Sequence, residues 1–299
     1  MTFLLTGATG FIGRRLVGQL LRDGHSVNYL ARQRSGSIDS RAAFHIWDRG
    51  TEPRLESVPR LDAVIHLAGE PVAQRWTAEV KQRIRESRVD GTRKLVAAIA
   101  SLKHKPSVFV STSAVGFYGD RGEEILSEES AAGQGFLADV CKEWEREAMA
   151  AGEFGLRVVL LRVATVLGKN GGALKPMLIP FKLGIGGRFG SGKQWMPWIH
   201  LDDLVALYVF AAQNASAQGP LNASAPEPVR NEEFTKTLGR VLGRPTLIPA
   251  PRFALRAALG ELADFVLSSQ RVIPEATERA GFQFRYCQLE PALRAVLSA

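Results

Sequence analysis

The residues best suited to chemistry stand at the start of the chain. Gly7-Ala8-Thr9-Gly10-Phe11-Ile12-Gly13 follows the apolar run Phe3-Leu4-Leu5 and opens a helical stripe of Ile12, Leu16, Val17, Leu20 and Leu21. In such a turn Gly7 permits the tight bend, Gly10 lets the backbone approach a pyrophosphate, and Gly13 allows close helix–strand packing. The helix N-terminus adds unpaired N–H donors and the positive end of a dipole. The spacing is G-x-x-G-x-x-G rather than G-x-G-x-x-G, so its meaning rests on the flanking strand and helix. Gly7, Thr9, Gly10, Phe11, Ile12 and Gly13 are therefore the candidate cradle for a dinucleotide.

The end of the second strand selects among dinucleotides. A ribose 2′-OH calls for a carboxylate about 20 residues on, a 2′-phosphate for an arginine. After Val27-Asn28-Tyr29-Leu30 the chain reads Ala31-Arg32-Gln33-Arg34, with no acid until Asp39. A planar guanidinium holds a phosphate by paired hydrogen bonds, whereas a carboxylate would repel it. Arg32 and Arg34 point to NADP(H).

A second constellation lies at Gly184–His200. Gly187-Arg188-Phe189-Gly190-Ser191-Gly192-Lys193 fits the nucleotide-binding pattern G-x-x-x-x-G-K. Gln194 then lacks the hydroxyl that would ligate Mg²⁺, and Pro197 forbids the long helix that must follow. The segment reads instead as a glycine-rich loop whose Gln194, Trp195, Trp198 and His200 line a substrate pocket. An Asp of Asp202-Asp203 is expected to cap a helix near Leu204–Gln213. Cys141 and Cys287 are the only cysteines, without CxxC or Cys/His ligand spacing, so no metal site is expected.

These groups need a frame. Strand, helix and strand within about 30 residues make a βαβ unit. The alternation continues through a strand at Ala63–Ala68, a helix at Ala78–Leu102, a strand at Val108–Val110, a helix at Leu137–Ala151 and a strand at Val158–Val163. This pattern predicts an α/β fold, a Rossmann-type, doubly wound, mostly parallel sheet with a smaller C-terminal lobe. Residues 168–198 are rich in Gly and Trp, and helices are expected at Glu232–Leu242 and Pro251–Leu267. The expected division is 1–240 for the dinucleotide-binding domain, lending 168–200 to the substrate lobe, and 241–299 for a mainly helical extension.

Hydrophobic content of 45% and charged content of 23% are those of a globular protein. The net charge of +8 comes from scattered Lys and Arg, with no basic run and no aromatic interleaving, which argues against nucleic acid. No window reaches the roughly 18 apolar residues of a membrane span. With no signal segment evident and no disulfide framework, a reduced, cytoplasmic setting is expected.

The phrases Gly7–Gly13, Leu67-Ala68-Gly69, Ser111-Thr112-Ser113 and Tyr118-Gly119 resemble, in order, the signposts of extended short-chain dehydrogenases/reductases. Phe136-Leu137-Ala138-Asp139-Val140-Cys141 with Trp144-Glu145, Gly192–His200, Arg271-Val272-Ile273-Pro274 and Gly281-Phe282-Gln283-Phe284 resemble its atypical SulA-like or epimerase-family subgroup. The resemblance spans nearly the whole chain. It implies Leu67, Ala68 and Gly69 beneath the adenosine, Ser111 and Arg88 as further cofactor contacts, and Arg162 to Thr165 near the nicotinamide.

It also implies a gap. Reductases of this superfamily use Tyr-x-x-x-Lys, the Lys and the cofactor ribose lowering the Tyr pKa for proton transfer. Here Leu137 and Cys141 occupy those places, and Lys142 is one residue, about 100°, out of register. Ser113 keeps the family's substrate-orienting position and Tyr118 is the one nearby phenol, so these two are the candidate catalytic residues. The expectation is an NADP(H)-dependent oxidoreductase or epimerase-like enzyme on a small substrate, against a non-catalytic NADP(H)-binding protein. Nothing in the residues supports a cell-division role, which the subgroup's inherited name alone suggests.

Overall fold

The computed structural model describes residues 1–48 and 50–298. Short runs form the strands, the inner ones apolar and buried on both faces as in parallel sheets. Seven of them build one sheet: β1 (Thr2–Thr6), β2 (Ser26–Ala31), β3 (Ala43–Ile46), β4 (Ala63–His66), β5 (Val108–Ala114), β7 (Arg157–Val163) and β11 (Gly219–Ala223). Their order is β11-β7-β5-β4-β1-β2-β3, and every neighbouring pair is parallel. The winding reverses between β1 and β4. In such sheets ligands lie outside the carboxyl ends of the strands at this reversal.

Six short strands pair the later segments: β6 (Ile125–Leu126) with β13 (Arg271–Val272), β8 (Thr165–Leu167) with β10 (Trp198–His200), and β9 (Trp195–Met196) with β12 (Val229–Arg230). The helices are α1 (Phe11–Arg22), α2 (Ala78–Ala100), α3 (Phe136–Met149), α4 (Leu174–Lys182), α5 (Leu201–Gln213), α6 (Asn231–Leu242), α7 (Arg252–Leu259), α8 (Leu262–Val266), α9 (Glu275–Arg279) and α10 (Leu289–Ser298). Leu16 and Leu20 of α1 and Leu204 and Tyr208 of α5 share one core. Leu95 and Ile99 of α2 and Ala148 of α3 share another, which makes the sandwich doubly wound. A third core joins Leu174, Leu178, Phe234 and Leu238 with Leu289 and Leu293 of the last helix.

The structure corrects several boundaries. The helix expected over Pro251–Leu267 is two, parted at Gly260 with φ 61° and ψ −138°, a backbone that L side chains rarely adopt. The helix expected near Leu204 begins at Leu201, and its cap is not an Asp but His200, whose Nδ1 accepts the Asp202 N–H at 3.0 Å. Asp203 instead accepts the backbone N–H groups of Arg285 and Tyr286. Two strands had no sequence signal: β3 is a four-residue edge, and β11 carries Pro220, which an edge strand tolerates. Among the described residues no helix is long and apolar enough to cross a membrane.

Candidate functional site

The glycine turn lies where the winding reverses. Gly7 has φ +70°, and a Cβ there would stand 2.7–2.8 Å from the Leu67–Ala68 peptide. A Cβ on Gly13 would stand 2.2 Å from the Gly7 carbonyl oxygen. The turn is closed by Gly10 N–H donating to the Gly7 carbonyl at 3.0 Å. Helix α1 then starts with no side-chain cap and no acid in its first turn, whereas α2 is capped by Thr77 and α5 by His200. Its first N–H groups are thus left for an anion.

Around this turn lies an open cleft of about 260 Å³. Gly7, Thr9 and Gly10 form one side, Leu30, Ala31 and Arg32 the second, and Leu67 to Pro71 the third. Trp47 closes it, held by its backbone N–H on the Ala31 carbonyl and its indole N–H on Thr51. Sequence reasoning missed Trp47 because the edge strand β3 that delivers it carries no pattern. Glu70 was missed too; its N–H is tied to the Ser87 hydroxyl at 2.9 Å. Arg32 and Arg34 are exposed, and Arg32 lines the cleft. A glycine cradle, an uncapped helix and a rim guanidinium are what a dinucleotide phosphate set requires, so the residues present fit that group.

A buried relay holds the third wall in place. The Ala68 N–H donates to Thr6 Oγ1 at 3.2 Å, Thr6 Oγ1 meets His66 Nδ1 at 2.6 Å, and His66 Nε2 meets Thr92 Oγ1 at 3.0 Å. Three elements are thereby locked under Leu67-Ala68-Gly69.

Other expected contacts go elsewhere. Phe11 turns its ring onto Gly168, Gly171 and Gly172, so it anchors α1 to the lobe. Ile12 packs into the core. Arg88 lies beneath Gly69, donating to the Glu70 and Ile84 carbonyls and stacking on Trp144. It braces the cleft wall from below. Ser111 is fully buried with its hydroxyl on the Thr112 carbonyl, which corrects its place among the cofactor contacts. Thr165 opens β8 opposite Trp198.

The candidate catalytic residues are corrected most. Ser113 is 1% exposed and donates to Glu145 Oε1 at 2.6 Å. Arg162, expected near the nicotinamide, grips Glu145 from Nε at 2.9 Å and Nη2 at 2.8 Å. Its Nη1 donates to the Tyr118 hydroxyl and the Glu128 carbonyl, and its plane lies 3.5 Å over the Phe117 ring. Burial opposes the Arg162 charge, but the Glu145 carboxylate overcomes it and raises the pKa. Tyr118 is fully buried, donates to Asn222 Oδ1 at 2.7 Å, and is pushed up to about 12 by burial. Burial and the Glu145 charge push the Cys141 thiol up to about 12. None of these groups presents a proton to the cleft. They form instead a buried polar joint, extended by Glu128, which accepts from Asn222, Ala276 and Thr277 and so ties the tail to β11.

The expected aromatic wall is also a joint. Trp198 is fully buried in the lobe core with its indole N–H on the Glu227 carbonyl. Trp195 is half-buried, with the Arg230 and Arg271 guanidinium groups 4.5 and 4.6 Å from its ring centre and its indole N–H donating to Glu123 Oε2 at 2.9 Å. Gln194 is buried and donates to the Phe189 carbonyl at 3.1 Å. His200 stacks on Tyr286 at 3.8 Å. Glycine-rich spacing had suggested a loop over a pocket; here those glycines allow close packing, as where Gly187 meets the Ile248 carbonyl.

His200 sets a pH dependence. Its Nδ1 is an acceptor, so the ring is neutral with the proton on Nε2, which has no partner among the described residues. Burial lowers its pKa, and Arg285 and Arg15 outside it add to this while Asp202 opposes. The folded state therefore prefers the neutral ring, and stability falls as pH drops from the ordinary value of 6.5 through the folded-state pKa. His25 and His45, lowered chiefly by burial, act in the same direction. The urea midpoint is expected to fall between pH 7.5 and 5.0, and His200→Asn, which keeps a cap acceptor, to flatten part of that fall. A midpoint equally pH-dependent in the variant would remove His200 from this role.

Residues 3–223 match the NAD dependent epimerase/dehydratase family, and residues 250–296 match a domain of unknown function, DUF1731. The chain is 42% identical over 308 residues to the chloroplastic epimerase family protein SDR39U1 homolog of Arabidopsis thaliana, covering 99% of this chain and 87% of that protein. It is 38% identical over 300 residues to the epimerase family protein YfhF of Bacillus subtilis, covering 100% and 98%. The crystal structure of human epimerase family protein SDR39U1 (isoform 2), solved with NADPH, superposes with a TM-score of 0.90 at 33% identity, covering 100% and 99% of the two chains. The fold, the glycine cradle and these matches agree: the chain belongs to the NAD-dependent epimerase/dehydratase family, within the atypical short-chain dehydrogenases/reductases.

Proposed function

We propose that the protein binds NADP(H) in the cleft beside Arg32 and acts as an oxidoreductase or epimerase-like enzyme on a small substrate, in the cytoplasm. The observation that carries this is the rim itself: Arg32 lines the cleft, and the segment after β2 offers no carboxylate to a ribose 2′-OH before Asp39. Asp39 is in turn engaged by Arg41, from Nε at 3.0 Å and from Nη2 at 2.7 Å. The NADPH held by the human relative supports the same reading. When bound, the dinucleotide would supply or accept hydride. This chain's own residues hold the phosphates at the α1 N-terminus and shape the third wall through the Thr6–His66–Thr92 relay.

Isothermal titration calorimetry tests the assignment. Arg32→Ala is expected to weaken NADPH binding about 10- to 100-fold, the worth of a charge-assisted hydrogen-bond pair, and to leave NADH binding within about twofold. Equal loss for both dinucleotides, or none for either, would overturn the choice of NADP(H). A second reading, a non-catalytic NADP(H)-binding protein, is favoured by one observation: Ser113, Tyr118 and Cys141 are all buried.

A further inference from the structure

Six of the eleven large apolar side chains exposed among the described residues belong to two segments of the C-terminal lobe. Ile179, Leu183 and Ile185 lie on α4 and the turn that follows it; Leu247, Ile248 and Phe253 lie on the approach to α7 and in its first turn. In α4 the positions sort by helical spacing. Leu174, Leu178 and Phe181 are buried in the lobe, whereas Lys175, Ile179, Lys182 and Leu183 face outward. Helix α7 has no buried residue among those described, and Phe253 within it is 77% exposed. Hydrogen bonds stitch the two segments into one face. The Ala250 N–H donates to the Arg188 carbonyl at 2.8 Å, and the Gly190 N–H donates to the Ala250 carbonyl at 2.9 Å. A Cβ on Gly190 would stand 3.2 Å from Arg252 Cγ, so the start of α7 lies directly on this loop.

The charge on this face has one sign. Between Glu153 and Asp202, and again between Glu233 and Glu261, the sequence contains no acid. Lys175, Lys182, Arg188, Lys193, Arg244 and Arg252 are exposed there, and none of them makes an ion pair among the described residues. Acids on the flanking elements are already held: Glu232 by Lys236, Asp264 by Arg256 and Glu261 by Lys81. Apolar side chains standing among uncompensated cations suit an anionic bilayer. The apolar tips enter the acyl boundary while the cations meet the headgroup phosphates. A second copy docked about a two-fold axis would bring these cations against themselves, so the face's own charge opposes self-association.

We propose that the face formed by α4, the turn after it and α7 docks the protein onto the surface of an anionic phospholipid membrane, as a peripheral contact that does not cross the bilayer. Leu183, Leu247 and Phe253 supply the apolar insertion, and the six cations supply the attraction. Each cation near such a surface strengthens binding about fivefold, an effect that salt weakens. The docking is independent of any reaction in the dinucleotide cleft.

Co-sedimentation of the full chain with vesicles at physiological salt is the test, because charges more than about 8 Å from the lipid are then screened. Vesicles of an equal mixture of phosphatidylcholine and phosphatidylglycerol are expected to carry the protein down, and vesicles of phosphatidylcholine alone to leave it in solution. Lys182→Glu with Arg252→Glu is expected to weaken partition about 10- to 100-fold. Leu247→Ser with Phe253→Ser is expected to weaken it about tenfold, while NADPH affinity by calorimetry stays within about twofold. All four positions are exposed, so these variants are expected to fold. Lys103→Glu with Lys105→Glu removes the same charge from the loop before β5 and should cost no more than about twofold. Failure of the unmodified chain to bind the anionic vesicles would overturn the proposal. So would an equal loss in the Lys103 and Lys105 variant, or unchanged partition in the Leu247 and Phe253 variant, either of which would reduce the contact to the chain's general charge. A dimer seen by sedimentation velocity and dissolved by Phe253→Ser, without vesicle binding, would give the face to a second copy instead. Binding of polyglutamate in place of vesicles would give it to an acidic protein.

Discussion

Glu145→Ala is expected to lower the free energy of unfolding by about 3–5 kcal/mol, because it leaves the Arg162 guanidinium buried without its counter-ion. The side chains of the pair are 5% and 9% exposed, so water cannot take the place of the lost carboxylate. The damage would spread. Glu145 also accepts the Ser113 hydroxyl, while Arg162 holds the Tyr118 hydroxyl and the Glu128 carbonyl, and Glu128 holds Ala276 and Thr277. One carboxylate thus joins β5, β7, α3 and the tail. Urea unfolding measures the loss. A companion exchange, Glu145→Leu with Arg162→Met, removes both charges and should recover much of it. A drop below about 1 kcal/mol for Glu145→Ala would show that the ion pair is not what holds this joint.

Gly13→Ala is expected to weaken NADPH binding about 10- to 100-fold and to lower the urea midpoint. The added Cβ would lie 2.2 Å from the Gly7 carbonyl oxygen and 2.7 Å from Ala8 Cα. Both neighbours are backbone, so no side chain can rotate away. Helix α1 must instead shift off β1, carrying its uncapped N-terminus out of the cradle, and overpacking of this kind costs about 1–3 kcal/mol. Gly18→Ala on the same helix is the control, since nothing lies within 4 Å of its Cβ. It should bind NADPH normally and gain up to about 1 kcal/mol of helix propensity. Wild-type affinity in Gly13→Ala would mean that the turn is not the phosphate cradle.

The glycine turn and the helix behind it were legible because their determinants are local. A strand, three glycines and a helix fall within 22 residues, and Arg32 follows in the next strand's exit. Backbone conformation and helix-end electrostatics depend on near neighbours, so spacing alone carries them. That Leu137 and Cys141 stand at the places of the Tyr-x-x-x-Lys pair came instead from the family resemblance. The roles of Ser113, Tyr118 and Arg162 were not legible. Their partners lie far along the chain, Glu145 being 32 residues from Ser113 and Asn222 being 104 from Tyr118. A hydroxyl read in isolation looks like a donor for substrate; paired with a buried carboxylate it belongs to the frame. Trp195 and Trp198 failed likewise, since a tryptophan signals a large apolar face but not what covers it.

By itself the sequence determined the doubly wound sheet, the glycine cradle and the arginine at its rim, because periodicity and turn chemistry act over a few residues. Only the tertiary structure decided which polar groups face the cleft. Burial and pairing are set by what packs from elsewhere in the chain, and that packing turned the candidate acids into a structural joint. It also brought Leu137 and Phe265 together in one apolar cluster.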